Sequence, residues 1–150
     1  MDVFSPNSAR SERGGGYRDY GPLVLEHYEN PRNVGEVENP DAVAWVQSSV
    51  HGDRLKLTLR IAGGVIAEAR FKAFGCGAAI ASSSMATVML TGRSLEEAGC
   101  LTREDVSRAL GGLPESKIHC SVLAVEAVRR ALEDYDRRRN AATAVPTAGA

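Results

Sequence analysis

The sequence predicts an α+β domain, a small three-stranded antiparallel sheet with helices packed on it. Three observations carry that reading. Leu55, Leu57, Leu59 and Ile61 alternate with Arg54, Lys56, Thr58 and Arg60, the period of a strand with one buried and one wet face. A second alternating run, "VIAEARFKAF", follows directly after a glycine turn, which makes the two a hairpin. Beyond Gly77 the apolar spacing becomes helical and stays so, which segregates the helices after the sheet.

The elements follow in order. In "YGPLVLEHYE", residues 20–29, Leu23, Val24 and His27 share one helical face, and Asn30-Pro31 stops the helix because proline disfavours helical backbone in the residue before it. His27 on that apolar side is expected to make a hydrogen bond rather than bind a ligand. "AVAWVQSSV", residues 42–50, reads as the first strand and leads to a turn at His51. The second strand runs to Ile61, and Ala62-Gly63-Gly64 turns the chain. The third strand sets Ile66, Glu68, Arg70 and Lys72 against Val65, Ala67, Ala69 and Phe71. "AAIASSSMATVML" suits a helix with a closely packing small-residue face carrying Ile80, Ser84, Thr87, Val88 and Leu90, with Met85 and Met89 in the core, and Gly92 ends it. Ser94 with Glu97, and Thr102 with Asp105, form capping boxes for two short helices. The last helix, residues 121–139, shows Val122, Val125, Val128, Leu132 and Tyr135 along one face and a basic final turn that suits its dipole.

With 150 residues the chain has room for one domain, placed at residues 17–139. The polar segment 1–16 and the small-residue segment 140–150 bury too little apolar surface to offset their ordering entropy, and both are expected to be mobile tails. A hydrophobic content of 43% and a net charge of -1 describe an ordinary globular protein and argue against nucleic-acid or membrane partners. No apolar run approaches the roughly 20 residues of a membrane span, and "MDVFSPNSARSERGGG" lacks the apolar core of a secretory signal. A cytoplasmic protein is expected. Its three cysteines, Cys76, Cys100 and Cys120, are widely spaced and odd in number, which fits reduced thiols in a reducing compartment.

Two of those cysteines lie where chemistry is favoured. Cys76, in "AFGCGAA", sits between two glycines at a strand end and a helix start, where the helix N-terminus favours thiolate over thiol. Cys120, in "LPESKIHCSV", also faces a helix N-terminus, beside His119 and near Lys117, both of which would favour its ionised form. Cys100, in "EEAGCLT", has no neighbouring cation or second ligand and is assigned to packing. With His51 and Asp53 ahead of the second strand, a constellation of His51, Asp53, Cys76, His119 and Cys120 results. Such donors suit tetrahedral zinc or a [2Fe-2S] cluster with mixed sulfur and nitrogen ligation.

"HYENPRNVG", the "GD" before the alternating strand, "ARFKAFGCGAAIASSS", "GRSLEEA" and "LPESKIHCSVLAVEAV" resemble the U-type iron–sulfur cluster scaffold proteins, the IscU family and the N-terminal domain of NifU. The resemblance spans roughly residues 17–136. It implies a scaffold, not an enzyme, that receives sulfur from a cysteine desulfurase, takes up iron, builds a transient [2Fe-2S] cluster and passes it to apo iron–sulfur acceptor proteins. The family site has three cysteines, an aspartate two residues after the first and a histidine just before the third. Asp53, Cys76, His119 and Cys120 match those positions.

The first cysteine does not match, because this chain reads His51-Gly52-Asp53 there. The expected cluster ligands are therefore Cys76, Cys120, His51 and either His119 or Asp53. Neutral imidazole in place of thiolate would raise the reduction potential and make the cluster more sensitive to acid. Cys120 is the expected persulfide acceptor, and Asp53 is expected to favour cluster lability. "LPESK", residues 113–117, resembles the segment by which the family meets an Hsp70-type chaperone, with Glu115-Ser116 departing from the Pro-Val of the IscU branch. The alternative is a zinc- or iron-binding variant acting as desulfurase partner or regulator, or a stable cluster carrier.

Overall fold

The structure, a computed structural model, describes residues 20–48 and 52–148. Helix α1 is Pro22–Glu29, strands β1, β2 and β3 are Ala42–Gln47, Arg54–Ala62 and Val65–Phe74, and helix α2 is Gly77–Leu90. Two short helices, α3 (Leu95–Gly99) and α4 (Arg103–Ala109), a 3₁₀ turn at Glu115–Lys117 and the long helix α5 (Ile118–Ala148) complete the chain. Among the described residues the sheet is antiparallel throughout, in the order β1-β2-β3, as the alternating pattern predicts.

One face of the sheet presents Ala42, Ala44, Val46, Leu55, Leu57, Leu59, Ala69, Phe71 and Ala73 to α2 and α5, and this is the core. The other face is wet, with Trp45 exposed and the Lys56 ammonium 5.7 Å from its ring centroid. In β3 the expected alternation fails at its start. Arg60 pairs with Glu68 and Ile61 with Ile66, so Ala67 is an extra residue in a bulge, and Ile66 is buried instead of sharing the polar face with Glu68.

Helix α2 buries nearly its whole circumference from Ala78 to Thr87, between the sheet and α1, while Val88, expected on the packed face, is exposed. Ser84 and Thr87 fasten it to its neighbours. Ser84 Oγ meets His27 Nδ1 at 2.7 Å and accepts the Arg32 N–H at 2.9 Å, and Thr87 Oγ1 accepts from Asn33 Nδ2 at 3.0 Å. Helix α1 and the segment after it are thus tied to α2, and His27 has the hydrogen bond its position suggested.

Helix α5 differs from its predicted stripe. Val122 is exposed, and the residues against the sheet are Ala124, Ala127, Val128 and Ala131, whose small size lets the helix axis approach β1 closely. Asp134 Oδ2 accepts the outward Val43 N–H of β1 at 2.9 Å. The helix also runs past Arg139, with strong helix formers at Ala141 and Ala142, so its backbone is helical to Ala148. Both capping boxes are present, at Ser94/Glu97 and Thr102/Asp105.

Cys100 is a correction to the sequence reading. It is exposed, and Ala98 and Leu101 on either side are the residues that pack.

Candidate metal and sulfur site

Three elements converge at one end of the sheet. Asp53 ends the turn before β2, where its carbonyl accepts the Ser48 N–H at 2.8 Å, and Gly52 ahead of it has φ +76°, a conformation that only glycine adopts without strain. Cys76 is the N-cap residue of α2, and its carbonyl receives the N–H groups of Ala79 and Ile80. Cys120 lies in the first turn of α5. The antiparallel register brings Arg54 opposite Phe74, so residues just before β2 and just after β3 meet by construction.

The glycines beside Cys76 serve close approach. A Cβ on Gly75 would lie 2.8 Å from Asp53 Oδ1, and one on Gly77 would lie 3.1 Å from the Tyr28 ring. Their effect is to let the Asp53 carboxylate and two tyrosine rings press against the Cys76 backbone.

Asp53, Cys76 and Cys120 each place one ligand atom within 4.8 Å of the others. Cys76 Sγ is 3.5 Å from Cys120 Sγ, and Cys120 Sγ is 4.0 Å from Asp53 Oδ2. His119 Nε2 joins them, 3.4 Å from Cys120 Sγ and 3.7 Å from Asp53 Oδ2. Of the five residues expected from sequence, these four come together. His51 lies outside the described residues.

The donors suit a metal. Metal–sulfur bonds of about 2.3 Å at tetrahedral angles hold two sulfurs about 3.8 Å apart, close to the 3.5 Å between Cys76 Sγ and Cys120 Sγ. The Asp53 carboxylate beside the two thiols is buried, 6% exposed.

The two thiols share the available proton unequally. The bond donated by Cys120 holds Cys76 at about 6, aided by the Ala79 N–H and the charge of Lys117, against the opposing effect of burial. Cys120 is pushed well up, by that same bond to Cys76, by burial and by the negative charges of Cys76 and Asp53. This corrects the expectation that Cys120 is the ionised thiol: Lys117 acts in the expected direction and is outweighed. Burial and the Cys76 thiolate raise the Tyr20 phenol likewise.

Two contributors were missed in the sequence. Tyr20 and Leu113 pack on a small cluster of Ala78, Ala79 and Cys120, and together they cover the sulfur of Cys120. Neither has a local pattern that would reveal this. The glycine at position 77, spaced to admit aromatic rings, was the available signal for Tyr20.

An α+β domain whose sheet end gathers two thiols, a buried carboxylate and an imidazole is a metal- or cluster-handling domain by its fold and donors. The chain matches the family described as NifU-like N terminal domain over residues 19–142, and it belongs to that family. It is 48% identical over 119 residues to the iron-sulfur cluster assembly scaffold protein IscU 1 of Archaeoglobus fulgidus, covering 79% of this chain and 78% of that one. It is 44% identical over 126 residues to the iron-sulfur cluster assembly scaffold protein IscU of Escherichia coli K12, covering 81% and 98%. Among solved structures, the NifU-like protein (N-terminal) from Brucella abortus superposes with a TM-score of 0.65 at 21% identity, over 79% of this chain and 95% of that one, a likeness of fold.

Proposed function

We propose that this chain is a scaffold on which an iron–sulfur cluster is assembled and from which it is passed to apo acceptor proteins. The observation that carries the reading is the convergence of Asp53, Cys76 and Cys120 within 4.8 Å, in a chain of this family. The cargo is a [2Fe-2S] cluster held by Cys76, Cys120, His51 and either His119 or Asp53. The protein contributes ligands and a sulfur acceptor and is not itself a catalyst.

Sulfur comes from the persulfide of a cysteine desulfurase and lands on Cys120. Once the site opens to the donor, Cys120 gives its proton to solvent and its sulfur attacks the outer sulfur of the donor persulfide, expelling the desulfurase thiolate, while Cys76, 3.5 Å away, stays a thiolate. Because Cys120 is 1% exposed beneath Tyr20 and Leu113, delivery requires these covers to part. Leu113 begins the "LPESK" segment, so an Hsp70-type chaperone bound there would act on the same cover. His51 supplies a neutral donor where a third thiolate would be anionic, which leaves the cluster less negative than three thiolates would.

A second reading, zinc binding by a partner or regulator of the desulfurase, is supported by the same sulfur spacing, since zinc and iron share tetrahedral geometry. Anaerobic reconstitution with iron, cysteine and desulfurase separates the two. The scaffold reading expects a chromophore with equal iron and sulfide, transferable to an apo-ferredoxin, strengthened in His51→Cys and weakened in His51→Ala. Stoichiometric zinc uptake with no sulfide-containing chromophore would overturn it.

A further inference from the structure

We propose that Cys76 resolves the persulfide on Cys120: its sulfur attacks the inner sulfur, closes a Cys76–Cys120 disulfide and expels hydrosulfide, so the chain releases sulfide without an external electron donor. This rests on the reading of Cys120 as the persulfide acceptor.

The geometry selects the inner sulfur. Cys76 Sγ is 3.5 Å from Cys120 Sγ, and that atom becomes the inner sulfur once the persulfide forms. Resolution therefore joins two sulfurs that are already in contact. The covering residues matter as well. Tyr20, Leu113, Ala78 and Ala79 surround Cys120, which keeps small thiols away from the persulfide and leaves Cys76 as the sulfur in contact with it. Cys100, the other cysteine of the chain, is exposed and stands apart from this group.

The step balances. The transferred sulfur arrives at the zero oxidation level and departs as sulfide, with two electrons that the two cysteine sulfurs supply as they become a disulfide. The bond between the inner and outer sulfurs breaks, the disulfide bond forms, and the persulfide proton leaves on hydrosulfide. A consequence follows from the sequence. With histidine at position 51, resolution consumes both thiols of the site, so each chain releases a single sulfide and must then be reduced by a thiol before it can hold iron.

The test is a single turnover. The chain is charged anaerobically by desulfurase and cysteine, passed through a size-exclusion column to remove desulfurase and small thiols, and followed by sulfide assay and by non-reducing peptide mass mapping. Wild type is expected to release up to one sulfide per chain while Cys76- and Cys120-containing peptides become disulfide-linked, and added dithiol restores both thiols. Cys76→Ser and Cys76→Ala are expected to keep the extra sulfur on Cys120 and release sulfide about tenfold more slowly or less. A persulfide that persists on wild-type Cys120 as long as in the variants overturns the inference and leaves the acceptor reading standing. Absence of extra sulfur on Cys120 in every protein, with no disulfide in wild type, rejects the acceptor reading and this inference with it. If neither variant folds by circular dichroism, the wild-type map decides alone: a persulfide without a disulfide overturns the proposal.

Discussion

Cys76 and Cys120 occupy similar places, each at the N-terminal end of a helix, yet the structure treats them oppositely. Cys76 is half-buried, receives a backbone N–H and is held at about 6, whereas Cys120 is buried under Tyr20 and Leu113 and keeps its proton. A helix N-terminus alone does not decide which thiol ionises. Contact with a second thiol, burial and the nearby Asp53 carboxylate decide it, and two sulfurs that share one proton form a pair with a divided role.

The largest test of that division is to remove either partner. Cys120→Ser or Cys76→Ser is expected to lose nearly all cluster iron on anaerobic reconstitution, as two sulfur ligands are the minimum this donor set offers. Retention of more than about half the wild-type iron in either variant would show that the pair is not the centre of the site.

The next is chemical. Alkylation of Cys76 by iodoacetamide in the apo protein should rise with a midpoint at about 6. A free cysteine would show its midpoint at about 8.5. At pH 7 Cys76 should react at least about tenfold faster than Cys120, read by peptide mass spectrometry. Equal rates would erase the comparison. Since its folded value lies below the unfolded one, Cys76 contributes stability above the unfolded value that is lost as pH falls through about 6.

A smaller effect comes from the packing around the pair. Gly75→Ala places a methyl group 2.8 Å from Asp53 Oδ1, and the displaced carboxylate should cost about 1–3 kcal/mol in chemical denaturation and weaken metal binding. Unchanged stability and metal affinity would mean that Asp53 is not held against Cys76.

The smallest effect tests whether buried titration is confined to the site. Burial, then the charge of Arg32, lowers His27, which meets Ser84 at 2.7 Å. The stability it adds is fully present above its ordinary 6.5 and declines as pH falls toward its folded value. His27→Gln should flatten that part of the curve, measured by urea unfolding between pH 5 and 7.5.

Much of this was legible in the sequence because it is local. Alternation in Arg54–Ile61 gave β2, the two capping boxes gave α3 and α4, and proline after Asn30 gave the end of α1. The misses are tertiary. The bulge at Ala67 turned Ile66 inward, and close packing on β1 placed Ala124, Ala127 and Ala131 beside Val128 and left Val122 outside. At the site, residue types picked out Asp53, Cys76, His119 and Cys120, which the fold brings together, but the division of the proton depends on a 3.5 Å distance between residues far apart in the chain. Cys100 shows the converse: a cysteine without neighbours in sequence was assigned inside, and its place in a turn put it outside.

The sheet edges carry one more consequence. Asp134 takes the Val43 N–H on the β1 side, while Asn33 and Gly35 pair with Phe71, and Gly92 and Arg93 with Ile66, on the β3 side. Backbone groups that could have recruited a strand from another chain are engaged at these positions, which guards against edge-to-edge aggregation. Encounters with other chains then fall to side chains and loops, where contacts form and break more readily than a strand pairing does.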